Sequence, residues 1–120
     1  MKFNDLSNKK KAEYYRKNYK NWKAIKIYDK AGFFLVYNDF KNKNILKKVS
    51  GNAIKCYLYL GISSKNDSGE SWHTVERIAT YFEVSTRTVS NWLAELEKYN
   101  LIKRLQFDMN EVSHTFLQPY

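Results

Sequence analysis

The clearest hydrophobic pattern lies between residues 72 and 105. In "TVERIATYF", Val75, Ile78, Ala79 and Phe82 follow i, i+3, i+4, i+7 spacing, one face of a short helix, and Thr74 is placed to cap it. After the link "EVS", Val89, Trp92, Leu93 and Leu96 form the buried stripe of a second, longer helix that opens on Ser85. It should end at Tyr99-Asn100, where asparagine tolerates a left-handed turn. "LIKRLQF" and "SHTFLQ" read as strands joined by a turn around Asp108, Met109 and Asn110. Upstream, Ser50 can cap a helix over "SGNAIKCYLYLGI", whose broad apolar face (Ala53, Ile54, Tyr57, Leu58, Leu60) places it in the core. "SSKNDSGES", residues 63–71, has turn composition. "FFLVYNDF" is an apolar run of no definite type.

The first 30 residues differ from the rest. Ala12, Tyr15, Tyr19 and Trp22 recur at helical spacing among lysines, "KAIKIYD" has the composition of a short strand, and Gly32 breaks the pattern. The chain therefore divides into a basic aromatic arm or helix (1–30) and a domain (31–120), mainly α with a small β-hairpin. At 120 residues it suits one domain with an added arm.

Charge sharpens this division. Residues 1–60 carry 15 Lys and Arg against 4 Asp and Glu, a net +11; residues 61–120 carry 6 against 8, a net −2. Such asymmetry points to a polyanionic partner for the first half, or to a solvated lysine surface. No apolar run approaches the roughly 20 residues of a membrane span, and the N-terminal residues lack the apolar stretch of a secretory signal. The lone Cys56 cannot form an internal disulfide. A cytoplasmic location without membrane association is expected. The abundance of Lys, Asn, Ile and Tyr accompanies A·T-rich coding, as in low-GC bacteria and their mobile elements.

A short helix, a tight link, a longer second helix and a hairpin make a helix-turn-helix with a wing. The first helix props the second, whose N-terminal turns can enter a groove about 12 Å wide. Ser85, Thr86, Arg87, Thr88, Ser90 and Asn91 are short or polar there and permit close approach. Arg87 suits guanine edges or a phosphate and Asn91 suits adenine, while free amides at the helix start can bind phosphate. Lys103 and Arg104 at the wing base, and Lys9, Lys10, Lys11, Arg16, Lys17, Lys20, Lys23 and Lys26 in the arm, are further phosphate candidates.

The segment "GESWHTVERIATYFEVSTRTVSNWLAELEKYNLIKR" resembles winged helix-turn-helix domains. A pattern like "IAxxxxVSxRTVxxxLxxLxxxxLI" recurs in that group; Ile78, Ala79, Val84, Ser85, Arg87, Thr88, Val89, Leu93, Leu96, Leu101 and Ile102 match it. The likeness spans roughly residues 33–120 and extends to small bacterial regulators and to N-terminal domains of plasmid and phage replication initiators. It implies double-stranded DNA as the partner, read as a transcriptional regulator of a mobile element, with replication initiation and a protein-interaction module as alternatives. A homodimer and a replication or transcription protein are the further partners to consider. Two features depart from the group: Asn100 stands where glycine is usual, and the wing tip "FDMNE" holds Asp108 and Glu111 but no cation.

Chemistry of other kinds finds little purchase. His73, His114 and Cys56 lack metal-ligand spacing, and there is no phosphate loop or nucleophile–histidine arrangement. The expectation is no enzyme, no metal and no cofactor. His73 reads as a surface or capping residue, His114 as a structural strand residue and Cys56 as an inert core thiol.

Overall fold

A computed structural model describes residues 2–120. Its internal contacts divide the chain into two units, Met1–Phe33 and Phe34–Tyr120.

The first unit is a 3-10 turn (Phe3–Asp5) followed by one long helix, α1 (Asn8–Tyr28). Ser7 caps it by accepting from the Lys10 amide at 3.3 Å. "KAIKIYD" is helix to Tyr28, not a strand: Ala and Lys favour the helix, and two isoleucines alone do not overcome them. The helix stops before Gly32 is reached. Lys30 takes the left-handed conformation (φ 56°), and the Ala31 and Lys30 amides close back onto Lys26 and Ile27. Lysine thus occupies the position that glycine usually fills.

The second unit is a helical layer against a small sheet. Short helices α2 (Asp39–Asn42) and α3 (Ile45–Lys48) lead into α4 (Gly51–Ser63). Strand β1 (Glu70–Ser71) precedes α5 (Val75–Phe82) and α6 (Thr86–Lys98). Strands β2 (Ile102–Leu105) and β3 (His114–Leu117) complete an antiparallel sheet of order β1-β3-β2. The hairpin expected from the sequence is therefore three-stranded: Glu70 and Ser71, within the stretch assigned to a turn, pair with Phe116 and Thr115.

Serine and threonine caps start the three main helices. Ser50, Thr74 and Ser85 accept from the amides of Ala53, Arg77 and Thr88 at 3.3, 3.0 and 3.1 Å. Glu83 (φ 56°) and Asn100 (φ 60°) end α5 and α6 in left-handed turns. Asn100 does what glycine does elsewhere, with the Leu101 amide bonding to the Leu96 carbonyl.

The core joins Ala53, Cys56, Tyr57 and Leu60 of α4 to Ile78 and Ala79 of α5, to Val89, Leu93 and Leu96 of α6, and to Leu101 and Ile102. Leu58, expected inside, is 40% exposed, while Cys56 is fully buried. Burial pushes the Cys56 thiol up to about 11, so it is an inert core group. In the "FFLVYNDF" run, residues 33–37 are neither helix nor strand, and Asp39 and Phe40 begin α2. Two of its rings anchor it: Phe40 meets Tyr57 and Tyr120 with centroids at 5.2 and 5.1 Å, and Phe34 lies on Gly61.

His73 is neither a cap nor a free surface residue. Its Nδ1 shares a hydrogen bond of 2.6 Å with the Tyr59 hydroxyl, inside an aromatic cluster that continues through Phe82 to Trp92. Burial, with the Arg77 guanidinium adding to it, holds this imidazole below its ordinary value of 6.5.

Two predictions follow from this packing. A Cβ at Gly61 would overlap the Phe34 ring. Gly61→Ala must displace that ring, and we expect a loss of about 1–3 kcal/mol in urea unfolding. For His73, the unfolded chain takes up a proton that the folded chain refuses as pH falls below about 6.5. Stability contributed by this residue is thus full above that pH and declines below it; His73→Gln should flatten that part of the stability–pH profile.

Candidate nucleic-acid interface

The outward face of α6 is set by its inward one. With Val89, Leu93 and Leu96 buried, helical geometry puts Arg87, Ser90, Asn91, Ala94 and Lys98 on the opposite side, and all five are exposed. Arg87, Asn91, Ala94 and Lys98 form one line at i, i+4, i+7 and i+11. Ala94 and Lys98 extend the face that Arg87 and Asn91 mark in the sequence, and the periodicity that locates the core stripe contains them. Ala94 adds no bulk to the face.

The remaining α6 candidates divide by what they already do. Thr86 is exposed. Ser85 and Thr88 are engaged with each other: their hydroxyls lie 2.9 Å apart while the serine caps the threonine amide. The Thr86 and Arg87 amides, in the first turn, have no acceptor four residues back in the helix and are the donors available at this end. Arg87 forms no ion pair among the described residues.

Two of the acids around α6 have a part in the frame. Glu83 forms the left-handed end of α5. Glu95 crosses to the start of α4, where its carboxylate accepts from the Ser50 amide at 2.6 Å and the Ser50 hydroxyl at 2.8 Å. This bidentate contact fastens α6 to α4, and negative charge is favourable at a helix N-terminus.

The wing separates its two cations. Neighbouring strand residues point to opposite faces. Arg104 turns inward, with Nε donating to Thr115 Oγ1 at 3.3 Å. Lys103 is exposed, with Nζ 3.4 Å from Asn100 Oδ1. The outer sheet face carries an aromatic group in which the His114 ring meets Trp72 and Phe107 at 5.2 and 4.7 Å. His114 Nδ1 contacts Glu70 Oε2 at 2.5 Å, which ties β3 to β1. At the tip, Gln106 Nε2 donates to the carbonyls of Met109 and Glu111, holding the turn, while Asp108 and Glu111 face solvent.

In the arm, Lys9, Lys10, Arg16, Lys17, Lys20, Lys23 and Lys26 are exposed along α1 and Lys11 is partly covered. Glu13 is the one acid within this helix. Among the described residues, no group of three His, Cys, Asp or Glu could hold a metal ion, and no helix is long and apolar enough to cross a membrane.

Helices α4, α5 and α6 with the β1-β3-β2 sheet make a winged helix-turn-helix domain. Residues 48–102 match a family model described as a helix-turn-helix domain. Two solved structures are similar in fold. One is a chain from the structure of a Rep-DNA complex: 13% identity, TM-score 0.55, covering 79% of this chain and 81% of that one. The other is the N-terminal domain of a DNA-binding protein: 14% identity, TM-score 0.55, covering 79% and 80%. A search of curated proteins finds no match.

Substitutions should separate the outward face from the frame that holds it. Arg87→Ala should leave stability within about 0.5 kcal/mol, as for an exposed side chain without partners. Glu95→Ala should cost about 1–2 kcal/mol, because the α4 cap loses two charge-assisted hydrogen bonds in a partly solvated site. Chemical denaturation of the two variants beside the wild type measures both.

Proposed function

We propose that this protein binds double-stranded DNA in a sequence-dependent way through α6. The observation that carries this reading is the exposed line of Arg87, Asn91, Ala94 and Lys98 on a helix whose opposite face is buried. Arg87, Thr86, Ser90 and Asn91 would read base edges, with Arg87 suited to guanine and Asn91 to adenine. Ser85, Thr88 and Lys103 would meet phosphates beside the groove. Arg104, turned toward Thr115, would position the wing more than touch the backbone. Lys9, Lys10, Lys11, Arg16, Lys17, Lys20, Lys23 and Lys26 of α1 would supply the salt-dependent, sequence-independent attraction that the weakly charged α6 lacks. With Asp108 and Glu111 at its tip, the wing is poorly suited to enter a minor groove.

We read the protein as a transcriptional regulator of a plasmid or phage, in the cytoplasm and without a catalytic role. A second reading, a part in replication of such an element, is favoured by the fold shared with a chain of a Rep-DNA complex. Repeated sites within an origin would support replication, and a single promoter palindrome would support regulation. The palindrome would also imply a homodimer.

Selection from a random duplex pool at two salt concentrations tests the proposal. The full chain should enrich a motif. Arg87→Ala should weaken selection at one or two positions, by about 1–3 kcal/mol against the preferred base. Lys9→Gln, Lys10→Gln and Lys11→Gln together should weaken binding evenly across sequences and reduce the salt slope. Failure of every form to enrich a motif would sink the reading helix and leave a protein-interaction role for the domain.

A further inference from the structure

The aromatic stripe of α1 takes no part in the proposed duplex reading. Tyr15, Tyr19 and Trp22 are 58%, 59% and 53% exposed, and no residue of the helix is buried. Tyr15 meets the Phe3 ring at 5.6 Å and Tyr19 meets Trp22 at 5.8 Å, yet each ring keeps more than half of its surface in water. Burying an aromatic side chain is strongly favourable, so such a row marks a binding surface.

The arrangement of charge identifies the occupant. On helical geometry Ala12, Tyr15, Tyr19 and Trp22 lie along one line, and Lys26 is the next residue on it. Lys11 and Lys23 border the line on either side, and Lys23 Nζ stands 5.6 Å from the Tyr19 ring centre. Cations therefore run within and beside the aromatic row. A helix lying in a membrane interface keeps its cations on the face opposite a single apolar one. Here Lys11 and Lys26 lie within the aromatic face, which Tyr14 and Ile25 widen, while Ile27 and Tyr28 stand exposed on the basic side, so the two faces are not cleanly separated. Pairing with the same helix of a second copy would bring together two helices that each hold eight Lys and Arg against one Glu. Flat rings interleaved with ammonium groups fit a chain of unpaired bases, whose faces stack while its phosphates meet lysine.

We infer that the Tyr15–Tyr19–Trp22 face of α1 binds single-stranded nucleic acid. This rests on the reading of the protein as a DNA binder and deepens it, since a duplex reader that also holds an opened strand is equipped to act where DNA is melted.

The test uses the full chain and fluorescence anisotropy with labelled poly(dT) and with the selected duplex. Replacing Tyr15, Tyr19 and Trp22 together by alanine should weaken poly(dT) binding about tenfold or more while leaving duplex affinity within about twofold. Alanine favours the helix, and the three rings lie outside the core. Replacing the same three residues by phenylalanine keeps the stacking faces and should restore most of the lost affinity. The inference is overturned if the alanine variant binds poly(dT) like the wild type, if duplex binding falls equally, or if phenylalanine restores nothing. It is also overturned if the wild type ignores poly(dT) but sediments with phosphatidylserine vesicles, or if the alanine change only converts a dimer to a monomer. Duplex selection that fails while poly(dT) binding persists would remove the α6 reading and leave this site standing.

Discussion

A helix can present a reading face only if something fixes its roll and its position along its axis. For α6 the apolar stripe of Val89, Leu93 and Leu96 fixes the roll, because those residues are nearly or fully buried against the core. Apolar contact is non-directional and specifies axial position less sharply. The Glu95 carboxylate adds direction. It takes both hydrogen bonds that Ser50 can offer at the start of α4, from amide and hydroxyl, so a shift by one helical turn would break both. The sequence shows Glu95 only as an acid on a helix suited to a polyanion. In the fold, that acid holds the helix in place.

The same contact changes how charge is weighed along the chain. Counting residues makes α6 and its approach look hostile to phosphate, with Glu83, Glu95 and Glu97 against few cations. Glu95 is tied to Ser50, and neither Glu83 nor Glu97 belongs to the Arg87–Asn91–Ala94–Lys98 line. A formal charge total treats all these groups as equivalent, although only groups facing the partner act on it at contact distance.

Much of the domain could be read before any coordinates because its signals are local. Ser50, Thr74 and Ser85 cap the helices they precede in sequence, and the 3.6-residue period of α5 and α6 marks their buried sides. What escaped the reading depends on distant partners or on competing local preferences. Glu70 and Ser71 are a strand only because Phe116 and Thr115 come to lie beside them. His73 stands next to a helix start, but Tyr59, on α4, claims its ring. "KAIKIYD" carries isoleucines that favour strand and lysines and an alanine that favour helix, and the continuing turn of α1 decides between them. Arg104 could have been assigned from strand alternation once Ile102 was placed in the core, since residues two apart share a face. The outward line of α6 is likewise half legible in the sequence, through Arg87 and Asn91, because groups that pair with bases stand out there and Ala94 does not.

Affinity and selectivity make different demands on a surface. Selectivity needs a few side chains held rigidly, because a donor that can wander satisfies several bases equally well. Attraction to phosphate needs only enough positive charge within a Debye length and tolerates motion. On the proposed reading, the chain distributes its residues accordingly. The α6 face stands on a packed core pinned by a carboxylate clasp, and its exposed side chains are few. Helix α1 is basic, contributes no buried residue and is closed by a lysine in a strained turn, none of which a rigid reader could afford. The acidic, aromatic wing fits this division as well. If phosphate attraction is supplied elsewhere, the wing need not carry it, and its outer face is left free to keep the Trp72, Phe107 and His114 rings that hold the sheet together.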